Sequence, residues 1–169
     1  DSEFIDNGKI DQDQQGSIIL DRTCFYAESG GQIGDNGVIK TEKGKFFVKN
    51  TQKIADSVIH QGVMAEGEIS VGDEVTAKVS EDRNATKKNH TATHLLQWAL
   101  QKVVGGDIYQ QGSLVGPEYL RFDFTCPKAL TDQQIAEIEQ LVREKIDSAQ
   151  PVTVTVMPIK KAEKLGAMA

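Results

Sequence analysis

The period of the apolar residues changes once in this chain, near residue 80, and that change fixes its class. Before it come glycine-rich turns and short β-type runs. After it, Ala92, Leu96, Ala99 and Val103 recur at three-to-four spacing, the signature of a helix with one buried stripe. Strands first, then helices mixed with a hairpin, give an α+β chain.

In the first part the candidate strands are residues 9–11, 16–20, 37–40, 45–49 and 74–79. Gly44, Gly62, Gly67 and Gly72 separate them or stand beside turns. Many short strands at regular spacing predict a small closed or nearly closed β-barrel over residues 1–80. Residues 81–169 then form an α+β core with helices packed on an antiparallel sheet. Asp82 reads as the N-cap of a helix over 83–104, stopped by Gly105-Gly106. Residues 109–115 and 119–124 read as two strands around Gly116-Pro117, the second with Leu120, Phe122 and Phe124 on one face and Arg121 and Asp123 on the other. Thr131-Asp132-Gln133-Gln134 is a capping box opening a helix that buries Ile135, Ile138, Leu141 or Val142, and Ile146. Val152-Thr153-Val154-Thr155-Val156 has the composition of a strand closed by Pro158, and Lys160 to Leu165 supply a last helical turn before Gly166.

The chain has three histidines, and two of them, His90 and His94, lie four residues apart on the predicted helix. They fall nearly opposite its apolar stripe, with Gln97 and Gln101 beside them. At this spacing the imidazoles sit one turn apart on one face and can supply half of a tetrahedral zinc site. Surface or hydrogen-bonded histidines satisfy the same pattern. Thr91 stands where a zinc protease carries its glutamate, which argues against that chemistry. The glycine-rich segment 21–37 has neither the lysine of a phosphate loop nor the spacing of a dinucleotide fingerprint. Tight turns account for its glycines, while Thr23 and Gln32 are neutral groups able to position a small polar substrate or a water. Between residues 23 and 34 the only acidic side chain is Glu28. Lys87-Lys88, and the cluster Lys160, Lys161 and Lys164, could meet a phosphate backbone or simply be solvated.

With 25 acidic against 19 basic residues the net charge is -6, the wrong sign for a free-standing nucleic-acid grip that relies on long-range attraction. A local patch, or a larger protein containing this piece, remains open. Two cysteines, Cys24 and Cys126, make no disulfide framework. No apolar run approaches the ~20 residues of a membrane span, and the first residues carry no export signal, so a cytoplasmic origin is the default. The first residue is not methionine, and the chain reads as a fragment.

Four segments in order resemble the editing region of alanyl-tRNA synthetases: residues 20–32, with Tyr26-Ala27-Glu28-Ser29-Gly30-Gly31; His90-Thr91-Ala92-Thr93-His94-Leu95-Leu96; Gln111-Gly112-Ser113-Leu114-Val115 with Arg121-Phe122-Asp123-Phe124; and Gly166-Ala167-Met168-Ala169. The resemblance runs nearly the whole chain. It implies hydrolysis of the ester in tRNA(Ala) mischarged with serine or glycine, inside a parent enzyme that ligates alanine to tRNA(Ala) using ATP. It makes His90 and His94 two zinc ligands, the other two coming from a downstream Cys-x-x-x-His segment that this chain does not contain. Neither Cys24 nor Cys126 replaces that segment, since neither has a histidine four residues on. The expectation is zinc in the intact protein and, in this fragment alone, weak or no metal and no activity. Thr23 and Gln32 match positions lining the editing pocket, Thr23 being where the serine hydroxyl is read. Gly30, Gly31, Ser113, Arg121, Asp123, Lys87 and Lys88 are further candidates for contact with substrate or with the tRNA acceptor end. The implied partners are that acceptor end and the rest of the synthetase, with no membrane. Two other readings are a binding module that holds the acceptor end without chemistry, and a free-standing deacylase.

Overall fold

The structure, a computed structural model, describes residues 8–105 and 108–166. Its elements are β1 (Lys9–Asp11), β2 (Gln15–Ile19), β3 (Gly37–Lys40), β4 (Gly44–Ile54), β5 (Ser57–Ser70), β6 (Thr76–Val79), α1 (Asp82–Val103), β7 (Gln110–Val115), β8 (Leu120–Phe124), α2 (Asp132–Asp147) and α3 (Ile159–Lys164). The α+β class follows from the sequence, but the closed barrel does not survive.

The first six strands form one antiparallel sheet in the order β1-β5-β4-β3-β6, with β2 also on β5. The path does not return to its start: among the described strands β6 pairs only β3, and β1 and β2 pair only β5. The reason lies in the unequal strand lengths. Two long strands, β4 and β5, form a hairpin across Ala55-Asp56, and three- to five-residue strands are added at its flanks. Strand β5 takes β2 along 59–63 and β1 along 68–70, each too short to carry the sheet round to β6, so the path ends there. The chain leaves β6 directly for α1.

The sequence reading places no strand over 57–70 because Gly62 and Gly67 look like separators, whereas both lie inside β5. A Cβ at Gly62 would run into the Phe47 carbonyl and the Phe46 ring, so this glycine serves close backbone approach within the pair. The sheet buries Phe46, Ile39, Met64, Val48 and Ile69 together with Phe25 from the loop between β2 and β3.

Helix α1 begins after Glu81, which makes no side-chain cap; the Ser80 hydroxyl accepts the Asp82 N–H at 3.3 Å, so Asp82 is the first residue of the helix and not its cap. Gly105 lies just past its end, and Gly106 is outside the described residues. Strands β7 and β8 pair as a hairpin, and Leu120, Phe122 and Phe124 share the inner face as the alternation predicts. They pack with Leu96, Ala99, Leu100 and Val103 of α1 and with Ile138, Leu141 and Val142 of α2. Thr131 makes the complete capping box. Ile135 and Ile146 are more exposed than their helical spacing implies. The larger departure is at residues 152–156, which pair with no strand among the described residues: Val152, Val154 and Val156 are 81%, 88% and 96% exposed. β propensity is realised only where a partner strand supplies the ladder.

Candidate functional site

On α1 the spacing of four places His90 and His94 side by side, ring centroids 5.3 Å apart and tilted by 31°. His90 is half-buried and His94 exposed. The helix is held by residues between and beside them. Thr86 and Thr93 are buried and bond back to the Asp82 and Asn89 carbonyls, as mid-helix threonines do when no other acceptor is near. The Asn89 carboxamide donates to the Gly116 carbonyl at 2.8 Å, tying the histidine turn to the β7–β8 corner.

The glycine-rich loop is strapped to the same helix. Its Asp35 carboxylate is buried, receives the Tyr26 N–H at 2.6 Å and pairs with Arg83 near the start of α1. The same guanidinium donates to the Cys24 carbonyl at 2.9 Å. Further along, the Ile33 N–H donates to the Val115 carbonyl and the Val115 N–H to the Gly31 carbonyl, so residues 31–33 run beside the end of β7. Gly31 has φ +79, and a side chain there would collide with Ser113, which is why only glycine fits the approach. This geometry delivers Gln32, itself buried, to His90: its Oε1 lies 2.8 Å from Nδ1. With a carboxamide oxygen as acceptor, Nδ1 carries the proton and Nε2 keeps its lone pair.

A second network lies at the start of the loop. The Thr23 hydroxyl is 2.7 Å from Nε2 of His60, a fully buried histidine on β5 that packs edge-on against Phe25. Burial pushes the His60 imidazolium below its ordinary value, so the ring is neutral near pH 7.

Comparison with known proteins shows what the chain carrying this geometry is similar to. Residues 2–83 match the family model described as tRNA synthetases class II (A). Alanine–tRNA ligase of Neisseria meningitidis serogroup C (strain 053442) is 45% identical over 162 residues, covering 95% of this chain and 18% of that protein. Alanine–tRNA ligase of Coxiella burnetii (strain Dugway 5J108-111) is 44% identical over 161 residues, 95% of this chain and 19% of that protein. Nearly the whole chain thus matches one segment of the alanine–tRNA ligases. It spans less than a fifth of the length of these relatives.

The site residues expected from the alanine–tRNA ligase resemblance fall into separate groups. Gln32, His90 and His94 stand together, with Gly31 and Ser113 forming the adjoining backbone contact; Gly30 is exposed, at φ +60. Thr23 is bonded instead to His60. Arg121 and Asp123 pair with each other on the outer face of β8, Nε to Oδ2 3.1 Å. Lys87 and Lys88 are exposed; Lys87 lies three and seven residues before the two histidines, on their side of the helix.

Four residues that matter here escape the sequence reading. Arg83, Asp35 and Asn89 are polar residues whose partners are distant in sequence, so periodicity says nothing of them. His60 sits in the strand that the glycines conceal. Its only signal was being a histidine in an apolar stretch.

The residues fit a zinc ion in part. Two imidazoles one turn apart, the first with its Nδ1–H held by a carboxamide, present the donor type and the outer support that zinc-bound histidines use. Among the described residues no group of three or more His, Cys, Asp or Glu side chains is placed to share one ion. Glu28 is exposed and Asp35 is engaged by Arg83, so neither adds to the set. No helix among the described residues is long and apolar enough to cross a membrane.

Proposed function

We propose that this chain is the editing region of an alanine–tRNA ligase, and that it supports hydrolysis of serine and glycine esters of tRNA(Ala) in the cytoplasm. The observation that carries the reading is the Gln32–His90 hydrogen bond: the glycine-rich loop reaches Nδ1 of the first histidine, whose ring lies beside that of His94, and leaves Nε2 out of that bond. Residues 1–80 would then serve as the support for the loop, and residues 81–169 as the histidine-bearing core. His90 and His94 would hold zinc with a Cys-x-x-x-His pair from further along the synthetase, and the ion would supply Lewis acidity for the ester or a bound water.

The chain's own residues divide the remaining work. Gln32 keeps His90 in the tautomer and orientation that leave Nε2 available. Thr23 meets the side chain of the esterified amino acid. The close contact of Gly31 with Ser113 sets the distance between loop and hairpin. Lys87, on the histidine side of α1, would meet a phosphate of the acceptor end, and Lys88 would add charge beside it. Arg121 and Asp123 neutralise each other and contribute less. Ligation of alanine with ATP belongs to other parts of the longer enzyme.

The test is release of serine from Ser-tRNA(Ala), comparing this chain with one extended through the Cys-x-x-x-His segment, both zinc-loaded. Activity in the extended form alone supports the reading and assigns the missing ligands to the extension. If neither releases serine while both hold charged and mischarged tRNA alike, the chain is a binding module and the hydrolytic reading falls.

A further inference from the structure

His60 belongs to none of the groups used above, yet it touches the residue assigned to reading the substrate. It lies on β5 opposite Ile18 of β2 and Thr51 of β4, with no exposed surface. Its Nδ1 is 2.9 Å from the Ile18 carbonyl oxygen. A carbonyl can only accept, so Nδ1 carries the ring proton and Nε2 of the neutral ring can only accept as well. The group facing Nε2 is the Thr23 hydroxyl, at 2.7 Å, which must therefore donate to it. The Phe25 N–H donates to the same hydroxyl oxygen at 3.1 Å.

A hydroxyl has one proton and two acceptor positions. The proton is committed to His60 and one acceptor position to Phe25, which leaves a single lone pair. We infer that His60 is a positioning residue that fixes the polarity of Thr23, so that Thr23 accepts from a hydrogen-bond-donating hydroxyl such as that of an esterified serine. A free threonine hydroxyl could turn to donate or to accept, and would favour the serine ester less. Held this way, it rewards a ligand that brings a proton and offers nothing to a methyl group. An ammonium would also satisfy the lone pair, but both the seryl and the glycyl ester carry one, so comparing them isolates the hydroxyl. The inference rests on the editing reading for its substrate and, for the polarity, on the geometry around a buried, neutral ring.

Two measurements keep those parts distinct. The first is the long-range 1H–15N spectrum of the histidine side chains of this chain near neutral pH. His60 is expected as the Nδ1–H tautomer, and Thr23→Val, at an exposed position, is expected to move the Nε2 resonance downfield as its hydrogen bond is lost. An Nε2–H tautomer, or an Nε2 resonance that Thr23→Val leaves in place, overturns the polarity.

The second is hydrolysis of Ser-tRNA(Ala) and Gly-tRNA(Ala) by the full-length synthetase carrying this segment. His60→Phe is expected to lower kcat/KM for serine release about tenfold while changing glycine release by less than about threefold. His60→Gln, whose carboxamide oxygen restores an acceptor facing Thr23, is expected to recover part of the serine loss. Equal losses on both substrates overturn the positioning role and leave His60 a core residue. If His60→Phe does not fold, His60→Gln and the spectrum decide. A wild-type synthetase that releases neither residue overturns the editing reading and the serine assignment with it, while the spectrum still decides the polarity.

Discussion

Asp35 and Arg83 show how much a single buried charge can fix. Asp35 holds the Tyr26 amide and the Arg83 guanidinium at once, and so joins both ends of the loop to the first turn of α1. Replacing Arg83 by methionine keeps the apolar stem and strands the carboxylate. The expected cost is about 3 kcal/mol, read by urea unfolding, and a loss within error of zero would mean that Asp35 finds water instead. His60 makes a prediction of opposite character. Its folded-state value is depressed by burial, so the unfolded chain takes up the proton first. The stability it leaves intact is therefore full above the ordinary value of 6.5 and is lost as the pH falls from there through the depressed folded-state value. A urea series across that window should show wild type losing more stability on acidification than His60→Gln; parallel slopes would show the buried ring is not responsible.

At the scale of elements, local rules and long-range pairing leave different traces. The capping box at Thr131 is legible because its partners are three residues apart, and the structure shows both bonds. Thr131→Ala should cost about 1 kcal/mol, seen as a lower melting temperature with α2 otherwise unchanged. Residues 152–156 carry an equally clear local signal with no partner strand among the described residues to realise it. Val154→Thr is accordingly expected to alter unfolding free energy by no more than about 0.5 kcal/mol, and a larger loss would show that the segment is packed after all. The histidine pair was readable for the same reason as the cap, since four residues is one helical turn. What the sequence hides is anything set by pairing register. Strand β5 looks broken at Gly62 and Gly67, although those glycines let β4 approach it closely, and with β5 went both the openness of the sheet and the place of His60. Thr23 and Gln32 could be named as polar groups, but not that they serve different histidines.

Across the whole molecule, the apolar residues divide into two clusters, one around Phe46 and Met64 in the large sheet, the other around Leu100 and Phe122 under the helices. Among the described residues no apolar side chain belongs to both. The link is polar: Asp35 to Arg83, Asn36 to Asp82, Gln32 to His90, and the backbone bonds between residues 31–33 and Val115. Such a joint is directional, because it places the loop at one height on α1, and it depends on the buried ion pair more than on area. Trp98, packed against the second cluster, reports on that half, while far-UV circular dichroism in the strand region weights the first. The two unfolding curves should coincide in wild type and separate in Arg83→Met, with the sheet and the Trp98 signal melting at different denaturant concentrations. Coincident curves in the variant would mean that the loop's hydrogen bonds to β7 suffice for coupling without the ion pair. Separation would show that the alignment of Gln32 with His90, and with it the candidate site, is maintained by a charge pair remote from both histidines.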